Sequence, residues 1–106
     1  MAKYLVLWRR KIESLPKEPE GIQKVMGMVM SHVTQGMENG TILDWGVSLD
    51  SVHGYTIREI DSMELQKELM LTAPYIEVLD ILEIKTFEEA QKTVQAVMET
   101  MAAMSK

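Results

Sequence analysis

Cysteine is absent from the 106 residues, which excludes disulfides, thiolate metal sites and cysteine nucleophiles. Only two histidines occur, with no His-x-x-x-His or Glu-x-x-His pair, so no metal centre is expected. Basic residues are outnumbered, 11 Lys and Arg against 16 Asp and Glu, and the net charge of −5 argues against a nucleic-acid partner. No apolar run approaches the roughly 18 residues that a membrane-spanning helix needs, so no membrane partner is expected. The N-terminus also lacks an apolar signal core, and a cytoplasmic location follows as the expectation. Glycine-rich phosphate loops, a serine nucleophile elbow and a Walker lysine are all missing, and no cofactor is implied.

What remains is a foldable chain. Hydrophobic residues make up 46% and charged residues 25%, which excludes disorder as the default state. At 12.1 kDa the scaling of surface with mass gives about 6,000 Å² folded against roughly 17,500 Å² unfolded, enough for a core. A single domain over 1–106 is expected.

Periodicity divides the chain into seven elements. Residues 3–9 are a short apolar run suited to a central strand buried on both faces. Pro19 is a good first helical residue. From about 20 to 38, Ile22, Val25, Met26, Val29, Val33 and Met37 form one apolar stripe, with Gly36 on it where a sheet could approach closely. Asn39-Gly40 supplies a left-handed stop.

Over 41–49, Leu43, Trp45, Val47 and Leu49 alternate with polar residues and glycine. Over 53–59, Tyr55 and Ile57 alternate with Gly54, Thr56 and Arg58. A two-residue Asp50-Ser51 turn would set Trp45 opposite Thr56, apolar against polar. A loop of odd length is therefore expected, placing Leu43, Trp45 and Val47 on the face of Tyr55 and Ile57.

Asp61 with Glu64 has capping-box spacing, flanked by Ile60 and Leu65 as a hydrophobic staple, and opens a helix to about Leu71. Residues 76–84 read as the fourth strand. Thr86-Phe87-Glu88-Glu89 opens a last helix with Ala90, Val94, Val97, Met98 and Met101 on one face.

The order β-α-β-β-α-β-α predicts an α+β, ferredoxin-like βαββαβ fold. It comprises a four-stranded antiparallel sheet with helices on one face and an extra C-terminal helix. Helices on one face leave the other open. Because Tyr4, Val6 and Trp8 alternate with Leu5 and Leu7, that open face is apolar. A second copy of the chain is its expected cover, as a homodimer.

Candidate chemistry is sparse. His53 at the hairpin and Asp80, which interrupts the apolar fourth strand, are the two candidate catalytic groups. A carboxylate beside an apolar pocket could act as a base. The plainer readings are a turn histidine and a solvated strand-end aspartate. His32 falls at the edge of the first helix's stripe. Arg9-Arg10-Lys11 is the one basic cluster, a solvated strand end or an anion-binding patch. The ten methionines suit core filling or packing against a partner.

At Trp45, Tyr55-Thr56-Ile57-Arg58-Glu59, Pro74 and Ile84-Lys85-Thr86-Phe87-Glu88-Glu89-Ala90, the chain resembles a family of small proteins of unknown function. That family belongs to the dimeric α/β-barrel superfamily, distantly similar to muconolactone isomerase-type proteins. The resemblance spans roughly 41–90. It implies a dimer with sheets packed face to face and pockets between sheet and helices. It carries over no catalytic residue.

Two functions are expected to compete. One is a dimeric barrel binding a small apolar or aromatic molecule on Trp8, Trp45 and Tyr55, with His53 or Asp80 as the polar group. The other is a non-catalytic interaction or structural protein whose apolar sheet serves dimerisation alone.

Overall fold

A computed structural model describes residues 1–105. The elements follow the expected order: β1 (Lys3–Arg10), α1 (Pro19–Asn39), β2 (Ile42–Val47), β3 (His53–Glu59), α2 (Ser62–Thr72), β4 (Ile76–Ile84) and α3 (Phe87–Met104). A short 3-10 turn at Ile12–Ser14 is the one addition. The sheet runs β2-β3-β1-β4 with every pair antiparallel, so β1 is central and the fold is the ferredoxin-like α+β arrangement.

Local chemistry sets the element ends. Pro19 occupies the first turn of α1, and Gly40, at φ 81°, ends it in the left-handed region. The Asp61 side chain accepts from the Met63 backbone N–H at the start of α2, and Ile60 and Leu65 are both buried as a staple requires. Thr86 and Glu89 form a reciprocal capping box on α3. Gly36 is buried against Ile42, whose side chain fills the space a Cβ would need; this is the contact that lets α1 lie close on β2.

The hairpin register differs from the expectation. Ser48 N–H donates to His53 C=O at 2.8 Å, so four residues, Leu49 to Val52, form the loop, with Ser51 at φ 63°. Asp50 holds the loop by accepting from Ser48 Oγ at 2.6 Å and Val52 N–H at 3.1 Å. An even loop keeps Trp45 opposite Thr56, and a bulge at Leu43 turns Ile42 and Trp45 to the same face. Tyr55 and Ile57 therefore lie on the other face. The physical reason is that Trp45 packs across the sheet rather than on its direct neighbour: its ring lies 6.0 Å from that of Trp8, tilted by 32°. Thr56 is satisfied by a hydrogen bond from Trp8 Nε1 at 3.2 Å.

The core stands on the helix-covered face. Val6, Trp8, Ile60 and Leu65 are its buried members, with Tyr4, Trp45, Leu69, Ile76 and Val78 packed around them. The opposite face carries Leu5, Leu7, Tyr55, Ile57 and Leu82, paired by register as Leu5 with Ile57 and Leu82, and Leu7 with Tyr55.

The last helix projects. The molecule measures 69 × 26 × 23 Å, and every residue from Gln91 to Ser105 is exposed, the stripe of Val94, Val97, Met98 and Met101 included. Side-chain ties near its start, Lys3 to Glu89 and Lys85 to Thr93, join it to the body. The accessible surface is 8004 Å², about 2,000 Å² above what a compact chain of this mass exposes.

Candidate functional site

Between the sheet and the two covering helices lies a cleft of about 430 Å³, within the range of small-molecule sites. Its floor is built by alternation. On β1, Val6, Trp8 and Arg10 point to the helices, and on β3, Gly54, Thr56 and Arg58 stand opposite their neighbours on β1. Gly54 is required here because the Trp8 indole occupies the place of its missing Cβ. The roof is Met26, Val29, Met30 and Val33 from α1, with Leu65, Glu68 and Leu69 from α2. Met26 and Met30 remain half exposed, so the α1 wall is made of adaptable side chains that still reach solvent.

The polar groups gather at one end. Arg58, only 6% exposed, donates from Nε to Thr41 C=O at 3.0 Å. Its two terminal nitrogens grip Glu68 in a fork, Nη1 to Oε2 at 2.6 Å and Nη2 to Oε1 at 3.3 Å. His32 Nε2 stands 3.8 Å from Glu68 Oε2, beyond hydrogen-bonding distance, with its ring largely in solvent. At the other end of β1, Arg10 lines the cleft and has no ion-pair partner among the described residues. Its neighbour Arg9 points to the opposite face and binds Glu77.

Of the residues singled out from sequence, Trp8 and Trp45 meet in this cleft. Tyr55 does not. It lies on the open face, where its hydroxyl donates to Asp44 Oδ2 at 2.9 Å, an interaction that raises its pKa. His53 is exposed at the hairpin, its backbone N–H donating to Ser48 Oγ at 3.1 Å, and stands outside the cleft.

Asp80 is also exposed, and a β-bulge is responsible. Register slips between Trp8–Val78 and Leu7–Asp80, so Leu79 is an extra residue. Without it, alternation from the inward Val78 would aim Asp80 into the cleft; with it, Asp80 faces outward beside Leu7 and accepts from the Ile81 N–H. The apolar surroundings needed for a base are therefore not at Asp80.

Arg58 and Glu68 were not singled out from sequence. Glu68 falls three residues after the buried Leu65 on a helix, a spacing that puts both on one face. Arg58 shares the parity of Thr56 and Gly54, so once Trp45 is paired with Thr56, the whole polar set turns inward.

Among the described residues, no three His, Cys, Asp or Glu side chains come together as a metal site, and no helix is long and apolar enough to cross a membrane. No protein-family model matches the chain, and no curated protein or solved structure is found to be similar to it.

Proposed function

We propose that this protein is a dimeric α/β barrel that binds a small apolar or aromatic molecule in the cleft between sheet and helices. The observation that carries the proposal is the cleft itself. It holds two indoles, a largely aliphatic and methionine lining, and a buried Arg58 fully engaged with the part-buried Glu68, the few-polar-groups pattern of ligand sites. The working form is cytoplasmic and dimeric, with the open sheet face against a second copy. The apolar character of that face, with Leu5 between Ile57 and Leu82 and Leu7 beside Tyr55, supports this, since a soluble chain seldom leaves a large apolar sheet face open.

Native mass spectrometry of protein purified from its own host, before and after denaturation, tests both parts. The expected native mass is that of two 12.1 kDa chains plus a retained molecule of a few hundred daltons. A 12 kDa species at micromolar concentration overturns the dimer. A dimer with no retained mass, whose tryptophan fluorescence is also unmoved by small aromatic probes, overturns the binding site. That result would favour the second reading, an interaction protein, which the exposed apolar stripe of α3 supports.

A further inference from the structure

We infer that the cleft selects an amphipathic anion: an apolar or aromatic body lying against Trp8 and Trp45, with a carboxylate held by Arg10. This inference rests on the binding role proposed above and adds the chemical class of the ligand.

Charge accounting on the cleft wall carries the argument. Arg10, Arg58 and Glu68 are its formally charged groups besides His32, which leaves one positive charge in excess. Arg58 and Glu68 satisfy each other through two hydrogen bonds, and Arg58 spends Nε on Thr41. The surplus is Arg10. Every other strand arginine is paired, Arg9 with Glu77 and Arg58 with Glu68, whereas Arg10 has no acid within ion-pair distance among the described residues.

Lysines outside the cleft, Lys11, Lys17, Lys24 and Lys92, also lack an ion pair among the described residues, but Arg10 is the unpaired cation that lines the cleft, on a chain that carries −5 overall. Long-range potential therefore repels an anion, and any preference for one has to arise locally. Strand alternation places Arg10 on the Trp8 side, two residues away, beside Leu15 and Ile76. A guanidinium at the rim of a dry wall retains more of its attraction for a carboxylate than one in open water. Thr56 Oγ1 accepts from Trp8 and has its own O–H left to donate to the same ligand.

The test uses 2-naphthoate and its neutral counterpart 2-naphthalenemethanol, titrated calorimetrically into the full chain and its Arg10→Gln and Arg10→Lys variants. The wild type is expected to bind the anion about tenfold more tightly than the alcohol, the weight of one charge-assisted hydrogen bond at a partly solvated site. Arg10→Gln removes that preference, Arg10→Lys keeps most of it, and the alcohol binds all three alike. In the wild type, added salt weakens naphthoate binding and spares the alcohol, a readout that does not depend on any variant folding. Equal affinity for the two probes, or a naphthoate affinity unchanged in a folded Arg10→Gln chain, overturns the inference while leaving the cleft as a neutral-ligand site. Binding of neither probe overturns the cleft proposal and this inference together.

Discussion

The indole of Trp8 occupies the space in which a Cβ on Gly54 would stand, on the strand directly opposite. One face of the cleft depends on that glycine. Gly54→Ala forces the ring out of its site and is expected to destabilise the fold by about 1–3 kcal/mol, the usual cost of overpacking. It should also separate Trp8 from Trp45. Urea unfolding followed by tryptophan fluorescence checks both, and an unchanged midpoint with an unchanged spectrum would show that the ring has room to spare.

The Arg58–Glu68 fork closes the other end of the cleft. Glu68→Ala leaves a buried guanidinium without its acid, and a loss of about 2–3 kcal/mol is expected. That lies below the range for fully buried pairs because the Glu68 side chain keeps 30% of its exposure. Replacing both partners, Arg58→Met with Glu68→Leu, should cost less than Glu68→Ala alone. A double-mutant cycle by chemical denaturation measures this; additive losses would mean the two groups do not depend on each other.

Acid should loosen the root of α3. Lys3 donates to Glu89 at 3.0 Å, and this bond, with those from the Thr86 backbone and hydroxyl, lowers the Glu89 pKa to about 2. The ordinary unfolded value is about 4.3. A depressed folded pKa means that the contact's stabilisation is complete above the unfolded value and is lost as pH falls through about 2. Carboxyl NMR titration should show the low midpoint, and Lys3→Met should raise it. A wild-type midpoint near the ordinary value would remove Lys3–Glu89 as the tie.

The open face has its own test. Leu5 lies between Ile57 and Leu82 at the middle of the uncovered sheet. Leu5→Lys places a charge where a second copy is proposed to pack, while its side of β1 stays clear of the core. Light scattering is expected to show wild-type dimer and variant monomer with unchanged circular dichroism; a variant that remains dimeric would point to α3 or another surface as the contact.

Much of the fold was legible from local chemistry. The stripes of α1 and α3, the start at Pro19, the stop at Gly40 and the caps at Asp61 and Thr86 are short-range effects, written within a few residues of where they act. The topology followed because β-α-β units close with one hand. The alternation of β1 showed that Trp8 shares a face with Tyr4 and Val6, but with Leu5 and Leu7 equally apolar it did not say which of the two faces meets the helices.

Facing direction in the strands was decided only by tertiary structure. A strand repeats every two residues, so a single inserted residue reverses every side chain beyond it. The four-residue loop kept Trp45 in line with Thr56, the bulge at Leu43 set the entry to β2, and the bulge at Leu79 turned Asp80 out of the cleft. Neither bulge has a glycine to mark it; each is followed by an aspartate, Asp44 or Asp80, whose carboxylate accepts from the next backbone N–H, a local bond that does not by itself call for an extra residue. What placed them was the packing of Trp45 on Trp8 and of Val78 beneath the helices, contacts between residues far apart in the chain. The composition and local pattern thus determined the elements and their order, and long-range packing decided which face of each strand forms the cleft.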